Sequence, residues 1–388
     1  MQRIYQLINR IFSKLKRELL PIFTFQKGKK FQCFFAEIDV PSYKTIIVLE
    51  THFGWDTLLK QRPQQIASHF GDDVLFLYHS NRDKYDTKYC FKNLKKGLFL
   101  VNLDLYRKRL FMALKDFPDK YVMTYSTDTV GVMRIKNYQQ AGFQVIYEYV
   151  DRIDSSLCGN RRTKQLLKKN EALLADKRVF AVCTANLLFD SLNGRDRTTL
   201  ITNGCDYEFF AENAAPADKG DIIQVGYYGV LANWMDYELI KKIAAVGRYQ
   251  IVLFGNQYDD SLGKSGILHL SNVIFAGKVD YDELPMRASV FDICMIPFLI
   301  NAVTLATSPV KLFEYLAMGK PVVSTALPEC RKYPCVFVAD SPEDFLDKLI
   351  EAEKVARDPA FISLAKRTAL ENSWQSKCRQ IQSFLSEE

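Results

Sequence analysis

The stretch Thr307-Ser-Pro-Val-Lys-Leu-Phe-Glu-Tyr-Leu-Ala-Met-Gly-Lys-Pro-Val-Val-Ser324 decides the fold class of this 388-residue chain. Ser308 followed by Pro309 predicts a helix start, with the serine hydroxyl as the cap and proline at the first helical position. Gly319-Lys-Pro321 predicts that the helix ends near Met318, and the β-branched residues that follow predict a strand. A helix that leads directly into an apolar strand is typical of an α/β fold.

The charges on this predicted helix indicate an anion site. Lys311 takes the third helical position, where a cation faces the positive end of the helix dipole at a cost of about 0.3–1 kcal/mol. A bound diphosphate would remove that cost, held by backbone N–H groups, by the Thr307 and Ser308 hydroxyls and by the Lys311 ammonium. Glu314 follows one turn later on the same face, where it could accept hydrogen bonds from ribose hydroxyls. The alternative is a surface lysine–glutamate pair, which contributes little to stability.

Outward from this stretch, short β-rich runs alternate with helical stretches from residue 45 onward. This alternation predicts two doubly wound domains with parallel sheets and crossover helices. Ligands bind such sheets at the carboxyl ends of the strands, so two domains facing each other would share one central cleft. The predicted strands are 45–49, 74–78, 98–103, 121–125, 145–150 and 179–184 in the first half, and 222–226, 250–254, 273–276, 292–296, 322–324 and 336–338 in the second.

Composition and charge exclude several classes of protein. Hydrophobic residues make up 48% and charged residues 25% of the chain, which excludes disordered, collagen-like and coiled-coil proteins. No run of 18 apolar residues occurs, which excludes an ordinary transmembrane helix. Nine cysteines without a C-x-x-C pair predict buried thiols in a reducing compartment, and four histidines without zinc spacing predict no metal site.

Residues 1–30 hold eight basic residues and one acid, so they account for the whole net charge of +7. The rest of the chain is neutral overall, and we therefore do not expect its folded surface to bind nucleic acid. Within this arm, residues 3–20 predict an amphipathic helix that anchors the protein on an anionic membrane surface, at the inner, cytoplasmic face. The alternative is a helix that packs on the body. A signal peptide is not expected, because the apolar run 19–25 is short, broken by Pro21 and followed by lysines. The predicted apolar face holds Ile4, Ile8, Ile11, Phe12, Leu15 and Leu19, and the opposite face holds Arg3, Arg10, Lys14 and Arg17.

The segment Ser308–Val323 resembles the S-P-x-K-x-x-E-Y-x-A-x-G-x-P-V-V signature of GT-B glycosyltransferases, in particular the retaining family-four-like enzymes. The resemblance extends over most of residues 45–385. It includes Ile201-Thr-Asn-Gly-Cys-Asp206 with Phe209, Gly226-Tyr-Tyr-Gly229 with Trp234, Asp236 and Tyr237, Asn372-Ser-Trp374, and Trp55 with Gln61-Arg-Pro-Gln64.

This resemblance implies a nucleotide-sugar donor bound by a C-domain at 213–370 and a glycan or lipid-linked acceptor bound by an N-domain at 31–212. A tail helix at 371–388 would return to the N-domain. A small, polar segment at 211–220 is the predicted linker. The implied role is bacterial surface polysaccharide synthesis, such as that of a capsule or lipopolysaccharide.

The resemblance also assigns roles to residues on the donor side. Lys311 would neutralise the diphosphate, Glu314 would hold the ribose, and the Gly229 loop would approach the phosphates closely. Backbone groups at Lys278 and Val279, next to Gly277, would meet the nucleobase. On the other domain, Gly54 follows the first predicted strand and would bring backbone against a sugar or phosphate.

One departure from the family pattern concerns the donor sugar. Many members carry a second glutamate eight positions before the ribose glutamate, and here that position is Ala306. The sugar is therefore recognised differently, or the site is weakened. A catalytically silent nucleotide-sugar-binding scaffold and a GT-B-like nucleotide-sugar epimerase remain the alternative functions.

The catalytic base stays open between Asp151, Asp128 and the donor phosphate. Asp151 and Asp128 each follow a predicted strand and could deprotonate the acceptor hydroxyl, or could serve as helix caps or salt-bridge partners. His52 could contact the acceptor or the donor. Because no close carboxylate pair is evident, same-face attack with the leaving diphosphate as proton acceptor is favoured over a carboxylate nucleophile. Lys311 would then stabilise the developing charge without a metal.

Overall fold

The structure is a computed structural model that describes residues 27–57, 60–80, 91–155, 160–214 and 222–387. The predicted basic helix at 3–20 lies outside these ranges. The chain forms two compact units. Unit 1 comprises Met1–Thr57, Ala67–Glu148 and Ser155–Ala181, and unit 2 comprises Leu58–Ile66, Tyr149–Asp154 and Val182–Glu388.

The first sheet has eight strands. They are β1 (Thr45–Thr51), β2 (Val74–Ser80), β3 (Phe91–Lys95), β4 (Leu98–Val101), β5 (Lys120–Tyr125), β6 (Gln144–Tyr149), β7 (Phe180–Cys183) and β8 (Thr198–Leu200). Their order is β3-β4-β2-β1-β5-β6-β7-β8, and β1 pairs in parallel with both β2 and β5. β1 and β2 are apolar and buried along nearly their whole length, as parallel strands covered on both faces are. The strand order reverses between β1 and β5.

The second sheet lies in unit 2. Its strands are β9 (Ile223–Tyr228), β10 (Tyr249–Phe254), β11 (Val273–Phe275), β12 (Ile293–Ile296), β13 (Val322–Thr325) and β14 (Val336–Ala339). They are parallel, in the order β11-β10-β9-β12-β13-β14. This is the strand order of a dinucleotide-binding fold, in which ligands bind where the order reverses, here between β9 and β12.

Helices connect the strands, and several begin where a short polar side chain caps them. The side chains of Asp206, Asp236, Ser341 and Ser373 each accept a hydrogen bond from a backbone N–H in the first turn. The helices are α1 (Lys27–Glu37), α2 (Arg62–His69), α3 (Leu103–Ala113), α4 (Val132–Gln140), α5 (Asn160–Ala175), α6 (Asn186–Asp190), α7 (Tyr207–Asn213), α8 (Tyr237–Ala245), α9 (Ser261–Ser265), α10 (Leu284–Ala288), α11 (Val310–Ala317), α12 (Pro342–Val355), α13 (Pro359–Glu371) and α14 (Trp374–Ser386).

The predicted α/β class with two parallel-sheet domains is confirmed, and each predicted strand overlaps an observed one. Two strands were not predicted. β3 reads Phe-Lys-Asn-Leu-Lys, and it pairs antiparallel at the sheet edge, where an exposed strand needs no apolar run. β8 has only three residues.

The domain boundary differs from the prediction. The predicted linker at 211–220 is wrong in its first part, because α7 continues through Asn213, and residues 215–221 lie outside the described ranges. The long final segment of unit 2 begins at Val182 rather than after residue 212. The segment before α7 is held within unit 2 by hydrogen bonds from Asn203 to Ser308 and by backbone bonds that link Cys205 to the start of α14.

The tail helix α14 contacts residues of the range predicted for the N-domain. Lys377 Nζ donates to Thr202 Oγ1 at 2.8 Å, and Cys378 Sγ donates to the Ile66 carbonyl at 3.5 Å. Thr202 and Ile66 both belong to unit 2.

Three expectations from the sequence concern buried thiols, metal sites and membrane-spanning helices. Cys183, Cys205, Cys294, Cys330, Cys335 and Cys378 are buried free thiols. Within the described ranges, no cluster of three or more His, Cys, Asp or Glu side chains could hold a metal ion. None of the helices described has the length and apolar character needed to cross a bilayer.

Candidate functional site

Two glycines let the loops after β9 and β10 meet at the point where the second sheet reverses its order. Gly229 has φ of +140° and Gly255 has φ of +145°, values that other residues rarely adopt. A Cβ on Gly255 would lie 1.6 Å from the Gly229 carbonyl oxygen, and a Cβ on Gly229 would lie 2.8 Å from Cε of Lys311. The Gly229 loop therefore lies directly against Lys311, and its approach to the donor phosphates stays a prediction.

Lys311 is partly buried against aromatic rings in unit 2. Its Nζ lies 5.0 Å from the ring centroid of Tyr227, in β9, and 5.1 Å from that of Phe298, which follows β12. Burial lowers the pKa of the Lys311 ammonium to about 8, although the charge of Glu314 opposes the shift. A partly buried cation with this little charge compensation favours an incoming anion.

Helix α11, which carries Lys311, begins later than predicted. Pro309 is the N-cap residue rather than the first helical residue, and no side chain caps the helix. The Ser308 hydroxyl instead accepts a hydrogen bond from the Asn203 N–H at 3.1 Å, and the Thr307 hydroxyl donates to the Val303 carbonyl. The predicted serine cap is thus wrong, because a neighbouring loop takes that hydroxyl. The first N–H groups of α11 have no capping side chain.

Glu314 is also buried, with 5% of its surface exposed, so the alternative of a surface lysine–glutamate pair is wrong. The Tyr228 hydroxyl donates to Glu314 Oε2 at 2.9 Å. Burial raises the pKa of Glu314 to about 7, and this hydrogen bond and Lys311 oppose the rise. Sequence reasoning missed Tyr228, whose place at the end of β9, directly before Gly229, was the available signal.

A pocket beside these groups lies at the carboxyl ends of β9, β10 and β11. It is lined by Tyr228, Gly229, Phe254, Gly255, Asn256, Lys278, Val279 and Leu284. The structure therefore brings Lys278 and Val279, predicted to meet the nucleobase, to the same pocket as Gly229. Gly277 holds the loop in place, since its carbonyl accepts from the Gly255 N–H at 2.7 Å.

Ala306, the position of the family's second glutamate, lies in the interior of unit 2. It is fully buried in a small apolar cluster with Cys183, Ala185 and Leu188. The alanine that replaces the family's second glutamate is therefore part of the packed interior of unit 2.

A second polar site lies in unit 1, where the first sheet reverses its order. Asp128, in the loop after β5, is fully buried, and its Oδ1 accepts from three donors of the adjacent β1 end. These donors are the Thr51 hydroxyl at 3.0 Å, the His52 backbone N–H at 2.7 Å and the His52 ring Nδ1 at 2.5 Å. Its Oδ2 is buried without a hydrogen-bond partner in the part of the chain described.

Lys169 of α5 fixes the loop that carries Asp128, and sequence reasoning missed it. Its ammonium donates to Thr124 Oγ1 at 3.0 Å and to the carbonyls of Tyr125 and Asp128 at 2.7 and 3.1 Å. Burial lowers the pKa of Lys169 to about 8, and the charge of Asp128 opposes the shift.

The two remaining predicted site residues are Asp151 and Gly54. Asp151 follows β6, belongs to unit 2 and is half-buried, and burial raises the pKa of its carboxyl to about 7. A carboxyl that titrates near neutrality is suited to general acid–base chemistry. Gly54 follows β1 and is buried in unit 1.

Comparisons with known proteins agree with this fold. Residues 224–354 match the family model described as glycosyl transferases group 1. Over 263 residues, the chain is 26% identical to TuaH of Bacillus subtilis strain 168, whose name assigns it as a glycosyltransferase of teichuronic acid biosynthesis. It is 27% identical over 188 residues to EpsF, named as a glycosyltransferase of the same organism. These alignments cover 62% and 42% of this chain, and 66% and 47% of the two relatives.

Solved structures show the same fold at low sequence identity. Sucrose-phosphate synthase from Thermosynechococcus elongatus matches with a TM-score of 0.66 and 14% identity, over 88% of this chain and 98% of that one. Anabaena HepE in complex with UDP-glucose matches with a TM-score of 0.60 and 15% identity, over 88% of this chain and all of that one. Residues 224–354 thus resemble the glycosyl transferases group 1 family, and the likeness to these solved structures shows the GT-B fold.

Proposed function

We propose that this chain transfers a sugar from a nucleoside-diphosphate donor to a glycan or lipid-linked acceptor in the synthesis of a bacterial surface polysaccharide. The observation that carries the proposal is Lys311, a partly buried cation at the uncapped start of α11. Its ammonium and the first N–H groups of α11 would bind the donor diphosphate. The names of TuaH and EpsF support the glycosyltransferase activity, and that of TuaH the polysaccharide role.

Other groups of unit 2 complete the proposed donor site. Glu314, held by Tyr228, would bind the ribose hydroxyls. Backbone groups of Lys278 and Val279, beside Gly229, would meet the nucleobase. HepE, a protein of the same fold, binds UDP-glucose, which makes uridine the first nucleobase to test.

The chemistry we propose retains the configuration of the donor sugar by same-face attack and needs no metal. Departure of the diphosphate places negative charge beside Lys311 and the start of α11, which stabilise it electrostatically. The buried setting of Ala306 supports recognition of the sugar by other groups than the family's second glutamate.

The direct test measures thermal stability with UDP, GDP, dTDP, CMP and their sugar conjugates, followed by nucleotide release from the conjugate that binds. A ligand at 100 times its dissociation constant adds about 2.7 kcal/mol of stability. Stabilisation by one nucleotide class and turnover of its conjugate are the expected results. The absence of any stabilisation would refute the proposed donor site.

A nucleotide-sugar-binding protein without transfer is the second candidate, and Ala306 is the observation that favours it. Such a protein would bind the donor with the same shift and leave it intact, alone and with bacterial membranes as acceptor source. An epimerase would isomerise the donor without an acceptor.

We also propose that residues 3–20 attach the protein to the inner face of the cell membrane, because the arm is basic and amphipathic. Deletion of residues 1–30 is expected to abolish sedimentation with anionic liposomes. Neutral liposomes serve as the control for charge, and unchanged sedimentation of the shortened protein would refute this proposal.

A further inference from the structure

We infer that Asn203 is a positioning residue for donor binding, which holds the Ser308 hydroxyl away from the start of α11 and so leaves the first N–H groups of that helix to the diphosphate. This inference rests on the proposed function. It gives a role to the segment 201–206, which the proposed function leaves without one.

Competition for the N–H groups of α11 is the first argument. Serine is among the best N-cap residues, because its hydroxyl accepts a hydrogen bond from the N–H of the second or third helical residue. If Ser308 were the cap, these would be the N–H groups of Val310 and Lys311. A bound diphosphate needs the same groups. A capping Ser308 would therefore compete with the donor, whereas in the structure no side chain caps α11.

Asn203 engages both polar groups of Ser308. Its backbone N–H donates to the Ser308 hydroxyl at 3.1 Å, and its side-chain Nδ2 donates to the Ser308 carbonyl at 2.6 Å. Ser308 is only 4% exposed, so water has little access to replace either bond. Together the two bonds fix the peptide that leads into Pro309, and they keep the hydroxyl on Asn203 rather than on the first turn of α11.

The neighbours of the Asn203 side chain determine which end of its amide faces Ser308. Arg62 Nη1 lies 3.3 Å from Oδ1, and the Ser308 carbonyl oxygen lies 2.6 Å from Nδ2. A guanidinium only donates hydrogen bonds and a carbonyl only accepts them, so the amide oxygen faces Arg62 and the amide nitrogen faces Ser308. Asparagine meets both requirements, whereas an aspartate of the same size has no N–H for the Ser308 carbonyl.

The loop that carries Asn203 is itself held in place within unit 2. Arg62 Nη1 also donates to the Thr202 carbonyl at 3.0 Å, and Arg62 is buried. A Cβ on Gly204 would lie 2.4 Å from the Asn372 carbonyl oxygen, so the backbone on the other side of Asn203 packs directly against the residue that ends α13. Asn203 therefore acts on Ser308 from a fixed support.

The test is calorimetric titration of Asn203→Ala with the nucleoside diphosphate of the panel above, UDP, GDP or dTDP, that stabilises the wild type. Asn213→Ala is the matched control, since Asn213 is an exposed asparagine of α7. Asn203→Ala removes the shorter of the two bonds and lets Ser308 turn towards α11. We expect its affinity to fall roughly 2–30-fold, the effect of one serine cap on an equilibrium constant, and Asn213→Ala to bind as wild type. Unchanged affinity in a folded Asn203→Ala protein would overturn the inference.

Removal of the Ser308 hydroxyl separates this competition from a general loosening of the site. In the Ser308→Ala background the competing hydroxyl is absent, so adding Asn203→Ala should change the affinity by less than about twofold. An equal loss with and without the hydroxyl would show that Asn203 only supports the packing, and it would overturn the inference.

A second substitution, Asn203→Asp, tests the inference also where Asn203→Ala does not fold. It keeps the size of the side chain and the bond from Arg62, but it has no N–H for the Ser308 carbonyl, so it should bind the nucleotide more weakly than wild type. Lys311→Ala in the same titration separates the two levels of the account. A loss in Lys311→Ala without a loss in either Asn203 variant overturns this inference alone. A wild type that binds no nucleotide refutes the proposed function and, with it, this inference.

Discussion

Replacing Gly229 by alanine tests the contact between the β9 loop and Lys311. Gly229 has φ of +140°, and an added Cβ would lie 2.8 Å from Cε and 3.1 Å from Nζ of Lys311. The backbone conformation costs alanine roughly 1–3 kcal/mol of folding stability. Displacing the ammonium removes a charge-assisted hydrogen bond to the donor, about 1.5–3 kcal/mol. That loss corresponds to roughly 10–150-fold weaker donor binding.

Calorimetric titration with the stabilising nucleotide, alongside thermal unfolding, is the assay. Gly247→Ala is the matched control, because Gly247 has φ of +71° and an added Cβ there meets nothing within 4 Å. We expect both variants to lose stability and Gly229→Ala alone to lose affinity. Equal affinity in the two variants would refute the placement of Lys311 in the donor site.

Three further predictions concern buried carboxyl groups. Burial alone would raise the pKa of Glu50, but its hydrogen bonds and charge pairing with Arg107, and the charge of Arg134, lower it to about 2. Glu50 therefore contributes about 3 kcal/mol of stability above pH 4.5, which is lost as the pH falls toward 2. The difference in unfolding free energy between wild type and Glu50→Gln should accordingly shrink between pH 7 and pH 3, and a constant difference would contradict the assigned pKa. Ionisation of Asp151 has the opposite effect on stability, because burial raises the pKa of its carboxyl to about 7. In the same assay, Asp151→Asn should be more stable than wild type at pH 8 and equally stable near pH 3. Ala306→Glu should lower the melting temperature strongly by burying a carboxylate among apolar side chains, and a soluble variant with unchanged melting temperature would show that the cluster can open.

The class of fold followed from the sequence because apolar runs and turn residues are local signals. Each predicted strand overlaps an observed one, although β3 lacks the apolar pattern and was missed. The start of α11 shows the limit of local rules. Ser-Pro is a good helix start, yet the Ser308 hydroxyl is taken by Asn203, about a hundred residues away in sequence, so the helix begins at Val310.

The motif was enough to name the candidate donor residues, but it could not predict the pKa shifts of their side chains. Spacing places Lys311 and Glu314 on one face of a helix whether they lie on the surface or inside. The burial that the fold imposes on both side chains lowers the pKa of the lysine and raises that of the glutamate.

The His52–Asp128 pair illustrates a different limit. Both residues follow strands and were considered separately for the acceptor side. Their contact depends on β1 and β5 being neighbours, and that strand order is a property of the sheet that no local pattern reveals. The same order buries Asp128 and leaves His52 as the accessible member of the pair.

The central claim is that Lys311 binds the donor diphosphate, and calorimetric titration of the stabilising nucleoside diphosphate into Lys311→Ala tests it most directly. Lys241→Ala is the control, since Lys241 is an exposed lysine of unit 2 that pairs with Glu238 on α8. The account predicts at least about tenfold weaker binding for Lys311→Ala, the loss of one charge-assisted hydrogen bond, and wild-type affinity for Lys241→Ala. A folded Lys311→Ala protein that binds the nucleotide as tightly as wild type would contradict the account.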